Sequence, residues 1–152
     1  MTFDISTGTH GGRKPRGPMI RLINKVVTSR VRRGTKRMGS FNVLVLHTVG
    51  RKSGAERVTP LGWFPGGGGR WLIVASSNGS AGNPAWFHNI AGNPDRVSIE
   101  VEGRVVPVRV EQLRGDERTA EFAKIATASP RFGGYQAKTD REIPVLRLTA
   151  KE

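Results

Sequence analysis

Six short apolar, β-branched runs separated by turn-forming segments constrain this chain more than any other feature. They occupy residues 43–48, 57–64, 71–76, 97–101, 105–110 and 145–149. Runs of this length are too short for core helices and suit strands. "PGGGG" closes the second run, and its spacing is wrong for a dinucleotide fingerprint. Glu102-Gly103 joins the fourth and fifth runs as a hairpin. Short antiparallel strands tend to close on themselves, which removes their edges. The pattern predicts a mainly β fold with flanking helices, arranged as a small β-barrel over residues 35–152.

Helical spacing occurs in three places. Met19, Ile20, Leu22, Ile23, Val26, Val27 and Val31 share one face, with Arg21, Lys25, Arg30 and Arg32 toward the other. This predicts a basic amphipathic helix over 18–34, which either packs on its own barrel or lies on an anionic membrane surface. A second helix is expected from Asn83 as N-cap, through Pro84, to Gly92, and a third from Asp116 as N-cap to Ala128. "SPRFGGYQAKTDRE" reads as a loop, and residues 1–17 as a flexible basic arm.

Charge narrows the partners. The chain carries 25 Lys/Arg against 12 Asp/Glu. Residues 1–50 hold ten of those cations and a single acid, Asp4. Such a surface suits nucleic acid, anionic lipid or a polyanionic small molecule. The absence of cysteine excludes a thiolate nucleophile and a Cys-based zinc site. His10, His47 and His88 have no metal-ligand spacing, so no metal is expected. There is no GxSxG elbow and no GxxxxGK[ST] loop. With no signal peptide or spanning segment in view, a cytoplasmic protein is expected. If the chain is an enzyme, a cofactor performs the hard step and the protein positions it.

"HTVGRKSGAERVTPL" at 47–61 is the sharpest local signal. A turn needs glycine, but not three cations within seven residues. Arg51, Lys52 and Arg57, with the Ser53 hydroxyl and free backbone N–H groups, compose a concavity for phosphate or carboxylate. A solvated basic turn is the plainer alternative.

Three segments in order, "HTVGRKSGAERVTPL", "VASSNGSAGNPAWFHNIAGNP" and "YQAKTDREIPVLRL", resemble the deazaflavin (F420)-dependent nitroreductase family over about residues 43–149. The resemblance implies a split, FMN-binding-like β-barrel and coenzyme F420, whose tail carries a phosphodiester and an oligoglutamate. It assigns Arg51, Lys52, Ser53 and Arg57 to that tail. It assigns Thr59, Pro60, Val74, Ser76, Ser77, Asn78, Ala85 and Trp86 to the ring end. Phe132, Tyr135 and Lys138 fall at the acceptor-binding positions, with Tyr135 able to orient or protonate a substrate. The implied reaction passes hydride from reduced deazaflavin to a quinone, an enone or unsaturated lactone, or a nitroaromatic. Ser77 stands where some members have Lys, and Phe132 lacks the hydroxyl of the nitroimidazole reducers, so that particular activity is not carried over.

Three alternatives stay open: an FMN-binding oxidoreductase or a heme-handling protein on the same fold, and a basic nucleic-acid-binding barrel. The last lacks the exposed aromatic residues that such barrels stack on bases, so nucleic acid is not expected. A homodimer is one assembly to test, and contact of residues 18–33 with the inner membrane face is another.

Overall fold

The computed structural model describes residues 3–39 and 41–151. Among the described residues seven strands form one antiparallel system: β1 (Arg37–Met38), β2 (Phe41–Val49), β3 (Glu56–Pro65), β4 (Trp71–Val74), β5 (Ser98–Val101), β6 (Arg104–Gln112) and β7 (Val145–Ala150). Their order is β1-β2-β3-β4-β7-β6-β5, and β5 pairs back onto β2 through Val45↔Glu100, Leu46↔Ile99 and His47↔Ser98. Strands β2 to β7 therefore close into a six-stranded barrel. β1 is a short addition, pairing with the start of β2 through Arg37↔Asn42 and Met38↔Phe41.

Burial explains which strands read as continuous apolar runs. Leu44 and Leu46 of β2 point into the barrel core, while Val43 and Val45 point outward under a helix. Trp71 and Ile73 of β4 face the same core, and Leu72 and Val74 face a second cluster outside it. β6 has no helix over that face and alternates instead: Val106, Val108 and Val110 are buried between exposed neighbours. The β5–β6 turn has Glu102 at φ 51° and Gly103 at φ 77°, the two left-handed positions of a tight type I′ hairpin.

Among the described residues four α-helices flank the barrel: α1 (Pro18–Arg32), α2 (Ala85–Gly92), α3 (Gly115–Ala128) and α4 (Arg131–Lys138). Two expected caps are corrected. Pro84 occupies the N-cap of α2, and the buried Asn83 side chain bonds Arg141 and the carbonyls of Ile5 and Ser6 instead. Arg114 occupies the N-cap of α3, leaving Asp116 in its first turn, where a negative charge still favours the helix dipole. The segment read as a loop at 129–142 contains α4.

Only part of α1 packs. Val27, Thr28 and Val31 seat on β2, whereas Met19, Leu22, Ile23 and Val26 are exposed, Met19 at 69 %. The amphipathic face of the sequence is thus two stripes, one buried and one open to solvent.

The arm ahead of α1 carries defined contacts. Phe3 packs edge-on to Phe87, with ring centroids 6.3 Å apart. Gly8 and Gly12 N–H groups donate to Ala81 and Gly79 carbonyls at 2.7 and 2.8 Å. Thr9 donates to Asp140 from its backbone and its hydroxyl.

Candidate functional site

The barrel is split on one side. β3 pairs with β2 from Glu56 to Trp63, but with β4 only at Phe64↔Leu72 and Pro65↔Trp71. Along Val58–Gly62 the second edge of β3 has no strand partner among the described residues. A groove runs along this opening as three adjoining depressions of about 350, 390 and 270 Å³. The first two share Thr59, Ala85 and Trp86; the second and third share Asn24, Leu61, Ser76 and Asn78.

The first depression contains the 51–57 loop. It gathers Arg51, Lys52, Ser53, Arg57 and Thr59 beside Ala85, Trp86 and Asn89 of α2 and its approach. Glycine makes the loop possible: a Cβ on Gly50 would stand 2.5 Å from Ser53 Oγ, and Gly54 sits at φ 69°. The Gly50 N–H donates to Ala55 O at 2.8 Å and Gly54 N–H to Gly50 O at 2.9 Å. α2 fixes the loop from outside, because Asn89 Oδ1 accepts the Arg51 N–H at 3.2 Å. The Ser53 oxygen accepts the Ala55 N–H at 3.1 Å, which leaves its own O–H able to donate to an anion.

The second depression holds Thr59 and Val74 on the strands and Ser76, Ser77 and Asn78 on the loop after β4. Three successive residues of that loop are left-handed: Ser77 at φ 45°, Asn78 at 54° and Gly79 at 74°. Such a backbone needs support. Arg141 supplies it from beneath, although the quoted motif containing it gives its role no signal. Its guanidinium donates to the carbonyls of Ala75, Ser76 and Ser80 and to Asn83 Oδ1, at 2.7 to 3.0 Å. Burial lowers the Arg141 pKa, and five-donor geometry with four acceptors offsets the loss of water. Gly79 meets the Tyr135 carbonyl so closely that no side chain fits there. Trp86 is buried in the barrel core at 7 % exposure and also lines the groove.

The third depression is the aromatic end. Pro60, Leu61 and Gly62 face Phe132 and Tyr135 of α4. Phe132 stands edge-on to Phe41, Phe64 and Tyr135, with centroids 6.4, 5.6 and 5.6 Å away. Gln136 and Arg118 hold α4 in place. Gln136 Oε1 accepts from Arg118 Nη2 at 2.9 Å and from the Ile143 N–H at 3.0 Å. Gln136 Nε2 donates to Arg141 O at 2.7 Å.

Every residue assigned to the tail, ring and acceptor positions lines this groove except Lys138. Lys138 lies beside it, with Nζ 5.8 Å from the Tyr135 ring centroid and its carbonyl 3.1 Å from His10 Nδ1. Sequence reading missed Lys14 and Arg16 of the arm, Asn24 of α1 and Arg131 of α4 as further lining groups. Among the described residues no carboxylate lines any of the three depressions, while six cations do. His88, by contrast, is a partly buried residue of α2 whose pKa burial lowers, with Arg51 and Lys14 adding to the effect.

This donor set fits a long anionic cofactor with a flat ring. Hydroxyl and cationic donors stand at one end, backbone polar groups and a tryptophan in the middle, and an aromatic wall at the other.

Comparison with known proteins agrees. The family model described as F420H(2)-dependent quinone reductase matches residues 19–150. An F420H(2)-dependent quinone reductase of Mycobacterium tuberculosis is 36% identical over 111 residues, which is 71% of this chain and 73% of the relative. A solved F420-H2 dependent reductase superposes with TM-score 0.62 at 34% identity, over 70% of this chain and 93% of its own. A solved domain-swapped dimer superposes with TM-score 0.65 at 28% identity, over 87% and 100%.

Proposed function

The chain belongs to the F420H(2)-dependent quinone reductase family, and we propose that it holds coenzyme F420 along the split of the barrel for reduction of a quinone at the aromatic end. When bound, the cofactor supplies a hydride from a ring carbon, a two-electron donor that leaves single-electron chemistry aside. The chain's own residues supply everything else.

Arg51, Lys52 and Arg57 neutralise the tail, and Ser53 donates to its phosphodiester. Thr59, Pro60, Val74 and the Ser76–Ser77–Asn78 loop hold the ring, with Ala85 and Trp86 along its border. Backbone N–H groups of the loop stabilise charge on the reduced form. Phe132 and Tyr135 form the wall for a flat acceptor, bringing it into contact geometry. The Tyr135 hydroxyl orients the acceptor or gives it a proton. Enones, unsaturated lactones and nitroaromatics are the other acceptors to compare.

One observation carries the reading: a continuous, carboxylate-free groove leads from the cation loop to the aromatic pair. FMN, with one phosphate, would leave most of those cations unused. Anaerobic mixing of the protein with reduced F420 and a soluble menaquinone analogue tests it. The expected result is protein-dependent reappearance of oxidised F420 absorbance, with reduced FMN giving none. Turnover with FMN and indifference to F420 would overturn it.

A second reading concerns location and assembly. No helix among the described residues is long and apolar enough to cross a membrane. The exposed Met19, Leu22, Ile23 and Val26, flanked by arginines, favour contact of α1 with an anionic leaflet, where a lipid-soluble quinone resides. Co-sedimentation with anionic vesicles, with and without residues 1–34, decides it: equal partitioning removes the membrane role. A homodimer accords with the domain-swapped relative and is checked by light scattering during size exclusion.

A further inference from the structure

A further depression lies outside the groove. It measures about 780 Å³ and opens between α1 and the start of β3. Arg21, Lys25, Arg32 and Arg33 line it from α1 and its cap, and Arg57 lines it from β3. Positions 21, 25, 28 and 32 form one stripe at helical spacing. Thr28 is buried within that stripe, and the exposed Arg21, Lys25 and Arg32 rim the depression around it.

Among the described residues one acid lines it, Glu56, and that acid is already engaged. Its carboxylate bonds His47 Nδ1 at 2.8 Å, His47 Nε2 bonds Glu100 at 2.6 Å, and Glu100 accepts from Arg32 Nε at 3.1 Å. Among the described residues, Arg21, Lys25 and Arg33 have no acid within salt-bridge distance. Arg57 and Val58 line this depression and the 51–57 depression alike, so the two adjoin at the start of β3.

We infer that the α1 cation row is a second anion subsite, which takes the distal carboxylates of a polyanionic chain whose first anion sits at the 51–57 loop. The inference rests on the reading of that loop as the tail seat and extends it: the tail turns past Arg57 and runs along α1. The ligand class is a flexible polycarboxylate, and its length becomes a determinant of affinity.

The test titrates the intact protein with two F420 preparations, one bearing a single glutamate and one bearing five or more. The same titrations are run on the Arg21→Gln/Lys25→Gln variant, both sites being exposed and away from the groove. Screened surface pairs are each worth a few-fold in affinity, so the wild type should prefer the long tail by roughly five-fold. In the variant that ratio should fall to about one, with single-glutamate affinity unchanged. A ratio that persists in the variant, or is absent in the wild type, overturns the inference while leaving the tail seat at 51–57 intact. Failure of the wild type to bind either form overturns the underlying reading itself. Matching thermal melts confirm that the variant is folded.

Discussion

Arg141 shows how a residue outside the groove can decide its shape. Its four acceptors include three carbonyls of the strained 75–80 segment. Arg141→Ala would leave those buried groups unpaired, so we expect a loss of about 3 kcal/mol in denaturant unfolding and weaker F420 binding. Arg141→Lys reaches fewer of the acceptors and should be intermediate. A destabilisation under about 0.5 kcal/mol for Arg141→Ala would contradict the role. Tyr135→Phe separates two functions of the acceptor wall. If the hydroxyl gives the proton, kcat should fall roughly 100-fold with F420 affinity unchanged. An unaltered kcat assigns the proton to solvent. Of the groove residues, the cations and Ser53 stood out by type and spacing as a candidate anion seat, with a solvated basic turn as the alternative. Arg141 did not, since nothing in "TDREIPV" shows that its arginine is buried.

Elements differ in how much of themselves the sequence displays. The outward faces of β2 and β4 are buried by helices, so their strands read as unbroken apolar runs and were easily found. α4 was read as loop because Gly133 and Gly134 lie inside its eight residues, and tertiary bonds from Gln136 and Arg118 override that weak propensity. α1 was read as one apolar face, yet Val27, Thr28 and Val31 are turned to the barrel while Met19, Leu22, Ile23 and Val26 stay exposed, a division that periodicity cannot express. The arm carries a pH prediction. The Thr9 hydroxyl and N–H hold the Asp140 pKa down to about 2 from the ordinary 3.8. A carboxylate depressed on docking stabilises the docked arm above its undocked pKa and loses that contribution as pH falls toward its docked value. Hydrogen exchange at Gly8 and Gly12 should therefore quicken between about pH 4 and 2, and Asp140→Asn should give the quick exchange at neutral pH. Exchange in the wild type that is indifferent to pH after correction for intrinsic rates would contradict this.

For the whole molecule, closure of β5 onto β2 creates one interior, and the incomplete β3–β4 seam creates the site. Leu46→Ala, deep in the core opposite β5, should cost about 3 kcal/mol while leaving the groove's donor set in place. Antiparallel closure was legible from six short runs and a two-residue hairpin, whereas the seam was not, because pairing that stops after two residues leaves no mark on strand composition. The basic excess was legible as a number and as an N-terminal bias but not as a surface; among the described residues six cations line the groove and four more line the adjoining depression. The most direct test of the account is a fluorescence titration of F420 with the wild type and the Arg51→Ala/Arg57→Ala variant. Saturable binding that disappears in a variant with an unchanged melting curve is the predicted result, and a binding curve identical for the two proteins would contradict it.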